Sequence, residues 1–296
     1  MRRRIVKQGS ATMTISLPST WIKNHNLKEG DELEIEEKGN LIELSTSKIA
    51  SSSSIFIDAD KGSFTKRDLS HLYILGYDEI TLKFSDEEVL NSVKERLPDC
   101  IGFEIIDQSE NKIKIKSISS ELEGEFDNIL NKVFLILKEM GNDVYDALEK
   151  KEYSRLKKIK EMEIVNNKFT SFLLRLLSKK GYKRQNRTLQ AYDLIQNLER
   201  LADEYKYLCE NLADRKKPIS NESLNLLKAI NENYTSLYTN FLKSESQDKS
   251  LYKQRASIKI KVLATLEKEP ILNHHLLSLL EVLQNTNGSY LALIKD

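Results

Sequence analysis

The sequence predicts a multidomain α+β chain: a small β-rich domain, a small α+β middle domain, and an all-α domain built as two three-helix repeats. Three observations carry this. Apolar residues alternate at period two through most of the first 46 positions, a serine-rich stretch follows, and from Ser119 onward apolar residues recur in steps of three and four. The boundaries read as 1–46, 54–118 and 119–296.

In the first domain Thr12, Thr14 and Ser16 alternate with Met13, Ile15 and Leu17, the pattern of a half-buried strand. Pro18 stops it, and Ser19 or Thr20 is placed to cap a short helix over Trp21–His25. Asn26 ends that helix, and Lys28-Glu29-Gly30-Asp31 is a turn signal. Alternation resumes at Leu33 and Ile35 and, past a Gly39-Asn40 turn, at Leu41, Ile42 and Leu44. The order is strand, strand, helix, strand, strand. A domain of about 45 residues buries little apolar surface alone, so it reads as half of an assembly. Trp21, between Leu17 and Ile22, is expected to pack rather than to stack on a base.

Total charge is uninformative, with 46 basic and 45 acidic residues for a net +1. Its distribution says more. Arg2, Arg3, Arg4, Lys7, Lys23 and Lys28 all precede the first acid, Glu29. A strand and a helix start bearing only positive charge can track a phosphate backbone; the plainer reading is a solubilising N-terminus. The stretch LPSTWIKNHNLKEGDELEIEEKGNLIEL resembles the AbrB/SpoVT/MazE swapped-hairpin family, with Leu17-Pro18 and Trp21 at the strand-to-helix corner and Leu27, Gly30 and Asp31 at the next turn. The resemblance implies two chains interleaving their hairpins into one dimeric barrel that holds double-stranded DNA through N-terminal basic residues. Where the family often carries arginines, this chain has Thr14, Ile22 and Lys23. The expected DNA contacts are Arg2, Arg3, Arg4, Lys7, Thr12, Thr14 and Lys23. Arginine and lysine would mainly hold phosphates, and any base reading would come from arginine.

The middle segment reads as β-α-β-α-β-β. Ile55-Phe56-Ile57 is a strand, and Ser63 or Thr65 caps a helix through Leu69, Leu72 and Leu75. Glu79–Phe84 is a strand, Ser85 and Glu88 form a capping box for a helix stopping at Pro98, and 102–106 with 112–116 make a hairpin. Asp60-Lys61-Gly62-Ser63 lacks the preceding glycine of a phosphate-cradling loop and reads as a turn before a helix cap.

Six amphipathic helices follow. Ser120-x-x-Glu123 opens the first, with Leu122, Phe126, Ile129, Val133, Ile136, Met140 and Val144 on one stripe. The second carries Leu156 to Leu176, including Val165, and ends near Gly181. The third carries Tyr192, Ile195, Leu198, Ala202, Tyr205 and Leu208. Pro218 starts a fourth, the fifth runs from about Leu251 to Glu267, and Pro270 introduces the sixth. Long helices and short polar turns mean an up-and-down bundle. Tyr192, Tyr205, Tyr207, Tyr234 and Tyr238 are expected mostly in the core or lining a groove.

Leu198-Glu199-Arg200-Leu201-Ala202-Asp203 has a weak shadow at Leu280–Asn285, late in the second set of three helices. The first hexapeptide resembles the third-helix signature of PhoU-like phosphate-regulatory proteins, whose fold is two tandem three-helix bundles. That resemblance implies a divalent or iron-type metal held by carboxylates four residues apart, here Glu199 and Asp203. Carboxylates at i and i+4 share a helix face and can converge on a hard cation. Asn285 stands for the acid in the second set, and Glu163 with Asn167 has the same spacing on helix two. The alternative is a solvated face with Glu199 paired to a nearby Arg or Lys. The joint layout of both halves is similar to archaeal-type phosphate uptake regulators.

Several classes find no support in the residues. Cys100 and Cys209 form no CxxC and suit a reducing cytosol, and no stretch approaches the roughly 18 apolar residues of a membrane span. No apolar stretch of signal-peptide length follows the leading arginines, so a cytoplasmic location is expected. His274 and His275 point about 100° apart on a helix, one inward and one wet. No nucleophile elbow or dinucleotide fingerprint is present, and no enzyme activity is expected. The expected function is a homodimeric DNA-binding transcription regulator of phosphate uptake. Its alternative is a PhoU-like adaptor acting on a phosphate-transporter ATPase or a signalling protein. An antitoxin ranks third, because its kind is short and this tail is long and well patterned.

Overall fold

The structure is a computed structural model describing residues 2–10, 12–38, 41–46, 53–118, 125–245 and 249–295. It divides into two compact units, Met1–Ser52 and Ser53–Asp296.

The first unit has the expected order: β1 (Val6–Gln8), β2 (Thr12–Thr14), α1 (Ser19–Asn24), β3 (Leu33–Lys38) and β4 (Leu41–Thr46). β1 pairs antiparallel with β2 and β3 with β4, as separate two-stranded ribbons. Neither Ser19 nor Thr20 caps α1. The helix starts at Ser19 with Pro18 at the cap position and no side-chain cap bond, because the proline's fixed φ of −65° already sets the entry. Asn26, at φ 52°, ends it in the left-handed region that asparagine tolerates. In the next turn Lys28 N–H donates to Asp31 Oδ2 at 2.8 Å and Gly30 takes φ +89°. The Gly39-Asn40 turn and most of the serine-rich stretch lie outside the described residues.

In the second unit β5 (Ser54–Asp58), β6 (Glu79–Lys83), β7 (Phe103–Ser109) and β8 (Lys112–Ser117) form one sheet in the order β5-β6-β8-β7, with β5 and β6 parallel. Register places Ile55, Ile80 and Ile115 in one row and Ile57, Leu82 and Ile113 in the next. Cross-strand rows of this kind form the apolar face that α2 (Lys66–Ile74) and α3 (Glu87–Arg96) cover with Leu69, Leu72, Val89 and Val93. Thr65 caps α2, its N–H and Oγ1–H both donating to Asp68 Oδ2. Ser85 does not cap α3. Its N–H and hydroxyl donate to Asp60, so the helix begins one residue later on Asp86, whose Oδ1 accepts from Glu88 N–H at 2.9 Å. Leu75 ends up 64% exposed beyond α2.

The helical part comprises α4 (Phe126–Glu149), α5 (Leu156–Ile159), α6 (Met162–Lys180), α7 (Thr188–Leu212), α8 (Asn221–Lys243), α9 (Lys249–Ala264) and α10 (Pro270–Ile294). The Ser120-x-x-Glu123 cap lies outside the described residues. The second predicted helix is split in two. At 160–164 the backbone bonds shorten to the i→i+3 kind, from Glu161 N–H to Lys158, Glu163 N–H to Lys160 and Ile164 N–H to Glu161. After that tight turn Glu163, Asn166 and Thr170 face inward, while Val165 is 46% exposed. Tyr205, Tyr234 and Tyr238 are core residues as expected; Tyr192 and Tyr207 are not, each standing on the outer side of α7. Gly141 lets α4, α7 and α8 meet closely. A Cβ there would sit 2.9 Å from Tyr205 Oη and 3.2 Å from Asn231 Oδ1. In its absence Asn231 Nδ2 donates to the Gly141 carbonyl and Tyr205 Oη donates to Asn231, each at 2.7 Å.

One buried arginine ties the α+β part to the bundle. Arg175 on α6 donates to the carbonyls of Tyr73 and Tyr77 and to Asp78 Oδ1, at 2.7 to 2.9 Å. Its guanidinium also lies 5.1 and 4.8 Å from the ring centroids of Tyr73 and Phe103. The Cys100 thiol, near this junction, is pushed up to about 12 by burial and is an inert packing group.

Candidate functional site

The proposed DNA-contacting residues lie in the first unit. Arg2, Arg3 and Arg4 precede β1 and are exposed, and Lys23 is exposed in the last turn of α1. The β1–β2 ribbon divides the remainder. Lys7 pairs with Met13, whereas Thr12 and Thr14 pair with Gln8 and Val6, so Lys7 lies on one face and both threonines on the other. Thr14 Oγ1 also donates to the Val6 carbonyl at 3.2 Å. The backbone therefore brings Thr12 and Thr14 together and sets Lys7 apart from them.

No side chain is buried among those of 2–46 whose exposure is described. Register places Leu33, Ile35, Ile42 and Leu44 on one face of the β3–β4 ribbon, yet Ile35 and Ile42 remain 65% and 68% exposed. Leu17, Ile22, Leu27 and Leu33 line a half-buried cup, and Trp21 is only half-buried beside His25. Contiguous exposed apolar rows of this kind are a feature of interaction surfaces.

The carboxylates of the bundle meet differently from the expectation of a metal pair. Glu199 and Asp203 share one face of α7, and Glu163 approaches from α6. The sequence marks Glu163 with Asn167 by spacing, but apolar periodicity does not show that this charged residue faces inward. Lys206 Nζ lies 2.9 Å from Glu163 Oε1 and 2.5 Å from Asp203 Oδ1. The pairing lysine is therefore present, but it serves Asp203 and Glu163 rather than Glu199. Burial lowers the proton affinity of Lys206, and the hydrogen bonds to Asp203 and Glu163 outweigh it, so the ammonium is held above its ordinary range. Among the described residues no three His, Cys, Asp or Glu side chains are placed to share a metal ion. A multivalent cation does not fit the cluster with Lys206 in place.

Burial raises the Glu199 carboxyl, and the charges of Asp203 and Glu163 raise it further. The folded state then binds this proton more tightly than the unfolded chain does, so the contribution is complete below the ordinary value of 4.5 and is lost as pH rises through the raised one. Glu199→Gln is expected to raise the melting temperature at pH 7 and to lose that advantage near pH 4, a comparison two thermal melts make.

Among the described residues the second set of helices shows no carboxylate group able to hold a metal ion. Ser289 Oγ contacts Asp193 and the backbone carbonyl of Asn285, and Asn197 Nδ2 donates to it at 3.2 Å. Arg200, Gln284, Asn287 and Tyr252 also line this polar cleft, of about 590 Å³, among α7, α9 and α10. His275 is buried with its Nδ1 3.3 Å from Glu204 and its Nε2 2.9 Å from Asn211, while His274 is exposed, the expected division.

Residues 6–51 match the family described as antidote–toxin recognition MazE, bacterial antitoxin. The chain thus carries a MazE/AbrB-like domain of paired β-strands at its N-terminus, followed by a large helical region. No curated protein and no solved structure matches the chain. Among the described residues no helix is long and apolar enough to cross a membrane.

Proposed function

We propose that the protein is a homodimeric DNA-binding transcription regulator of phosphate uptake. Two copies of residues 1–46 knit into one barrel whose arginines and lysines face double-stranded DNA, and a PhoU-like helical domain senses phosphate status or docks a partner. The observation that carries the reading is the uncovered apolar face of Ile35 and Ile42 within a MazE/AbrB-like unit that buries none of its described side chains. Domains of this type typically dimerise and bind DNA, and the second copy is the occupant that such a face fits. Support for the phosphate role is the Leu198–Asp203 motif and its place late in a three-helix set.

The test is selection of genomic DNA fragments by the purified full-length chain. Enrichment upstream of phosphate-transport genes is the expected result. Retention of no fragment, with capture of a transporter ATPase instead, would replace this reading by the adaptor. The likeness to the MazE antitoxin family favours an antitoxin as the second reading, and capture of a toxin in place of DNA would support it.

A further inference from the structure

Helix α9 is apolar on two opposite sides. Its inner side is Arg255, Ile258, Val262 and, just past its end, Thr265, all buried. Arg255 is spent there, donating to the carbonyls of Leu251 and Leu283 at 3.4 and 3.3 Å, and Gln254 Oε1 accepts from Asn233 Nδ2 of α8 at 3.0 Å. The outer side carries Tyr252, Ile260 and Leu263, each more than half exposed, with Ala256 exposed among them. Positions four, four and three residues apart stack into one ridge along a helix. A surface helix turns one apolar stripe toward the core, and α9 does so with Ile258 and Val262, so the second stripe is left over.

Charge around the ridge is of one sign. From Lys249 to Leu266 the chain holds Lys249, Lys253, Arg255, Lys259 and Lys261 and no acid. At about 100° per residue, Lys259 stands on one flank of the ridge and Lys253 and Lys261 on the other. All three are exposed and, among the described residues, make no ion pair. The arginine faces inward, so the outward cations are lysines, compact point charges without the planar fork that grips an individual carboxylate.

We propose that the outer side of α9 docks on the surface of an anionic lipid bilayer, its ridge entering the headgroup region while Lys253, Lys259 and Lys261 reach lipid phosphates around it. A lysine stem lies along apolar surface while its ammonium stays among polar groups, so flanking lysines suit a submerged ridge. The DNA backbone offers phosphates to the lysines but nothing apolar to Ile260 and Leu263. A protein partner would need an acidic groove cut to this ridge, whereas a bilayer accepts a ridge of any shape and presents its charge as a diffuse field. The helix lies on the membrane, since no described helix is long and apolar enough to cross one. The inference does not rest on DNA binding.

Flotation of the full-length chain with vesicles tests it, one set of phosphatidylcholine alone and one of phosphatidylcholine and phosphatidylglycerol in equal parts. The wild type is expected to float with the mixed vesicles at low salt and to stay behind with the neutral ones. Lys253→Gln/Lys259→Gln/Lys261→Gln and Ile260→Ser/Leu263→Ser are each expected to lower the partition coefficient at least about tenfold. All five side chains are exposed, so both variants should melt with the wild type, which circular dichroism checks. Arg2→Ala/Arg3→Ala/Arg4→Ala is expected to lower it less than either, which separates α9 from the basic N-terminus. A wild type that ignores the mixed vesicles, or binds the neutral ones equally, would overturn the proposal. So would wild-type partitioning by either α9 variant, or a larger loss in the arginine variant. A chain that ignores vesicles but falls in solution mass with Ile260→Ser/Leu263→Ser would assign the ridge to a second copy instead.

Discussion

Replacing Arg2, Arg3 and Arg4 together by alanine is expected to lower the affinity of the full-length chain for double-stranded DNA by about a hundredfold. These three side chains are exposed ahead of β1, and no acidic residue occurs before Glu29. Long flexible cations in such a position mainly hold phosphates and set the register of the protein on the duplex. Thr12 and Thr14 share a ribbon face that excludes Lys7, so Lys7→Ala and Thr14→Ala should differ in kind. The lysine change weakens binding to every fragment alike. Fluorescence anisotropy on a set of fragments separates uniform weakening from altered preference, and a triple arginine variant with unchanged affinity would remove the N-terminus from the interface.

Arg175→Met is expected to destabilise the second unit by about 3 kcal/mol, at the lower end of what breaking a buried ion pair costs. Arg175 is 3% exposed, and its loss strips donors from two backbone carbonyls as well as from Asp78. The loss stays at that end because Lys179 Nζ also lies 2.7 Å from Asp78 Oδ1 and keeps that carboxylate paired. Arg175→Lys should recover little, since a single ammonium neither forks to three acceptors nor lies flat against the rings of Tyr73 and Phe103. Urea unfolding of the full-length chain measures both variants.

The N-terminal element order was legible because each strand carries its own alternation and each break its own turn residue, from Pro18 to Gly30. The helices were legible wherever the inward stripe is apolar, as in α4 and α10. Legibility failed where inward residues are polar. Glu163, Asn166 and Thr170 carry no hydrophobic signal, so the apolar pattern encodes neither the break before α6 nor the turn of its face. Lys206 was invisible for a related reason. A lysine three residues after an aspartate reads as a solvated helix pair, and only the packing of α6 against α7 makes it the bridge to Glu163. Caps failed by one residue at Ser85, because a competing acceptor, Asp60, comes from a turn distant in sequence.

The central claim is that two N-terminal units present one basic surface to nucleic acid, and the salt dependence of DNA binding by the full-length chain measures it most directly. If about five phosphates are neutralised per dimer, log K falls with log salt at a slope of roughly −4 to −5. An affinity that stays flat between low and moderate salt would contradict the account.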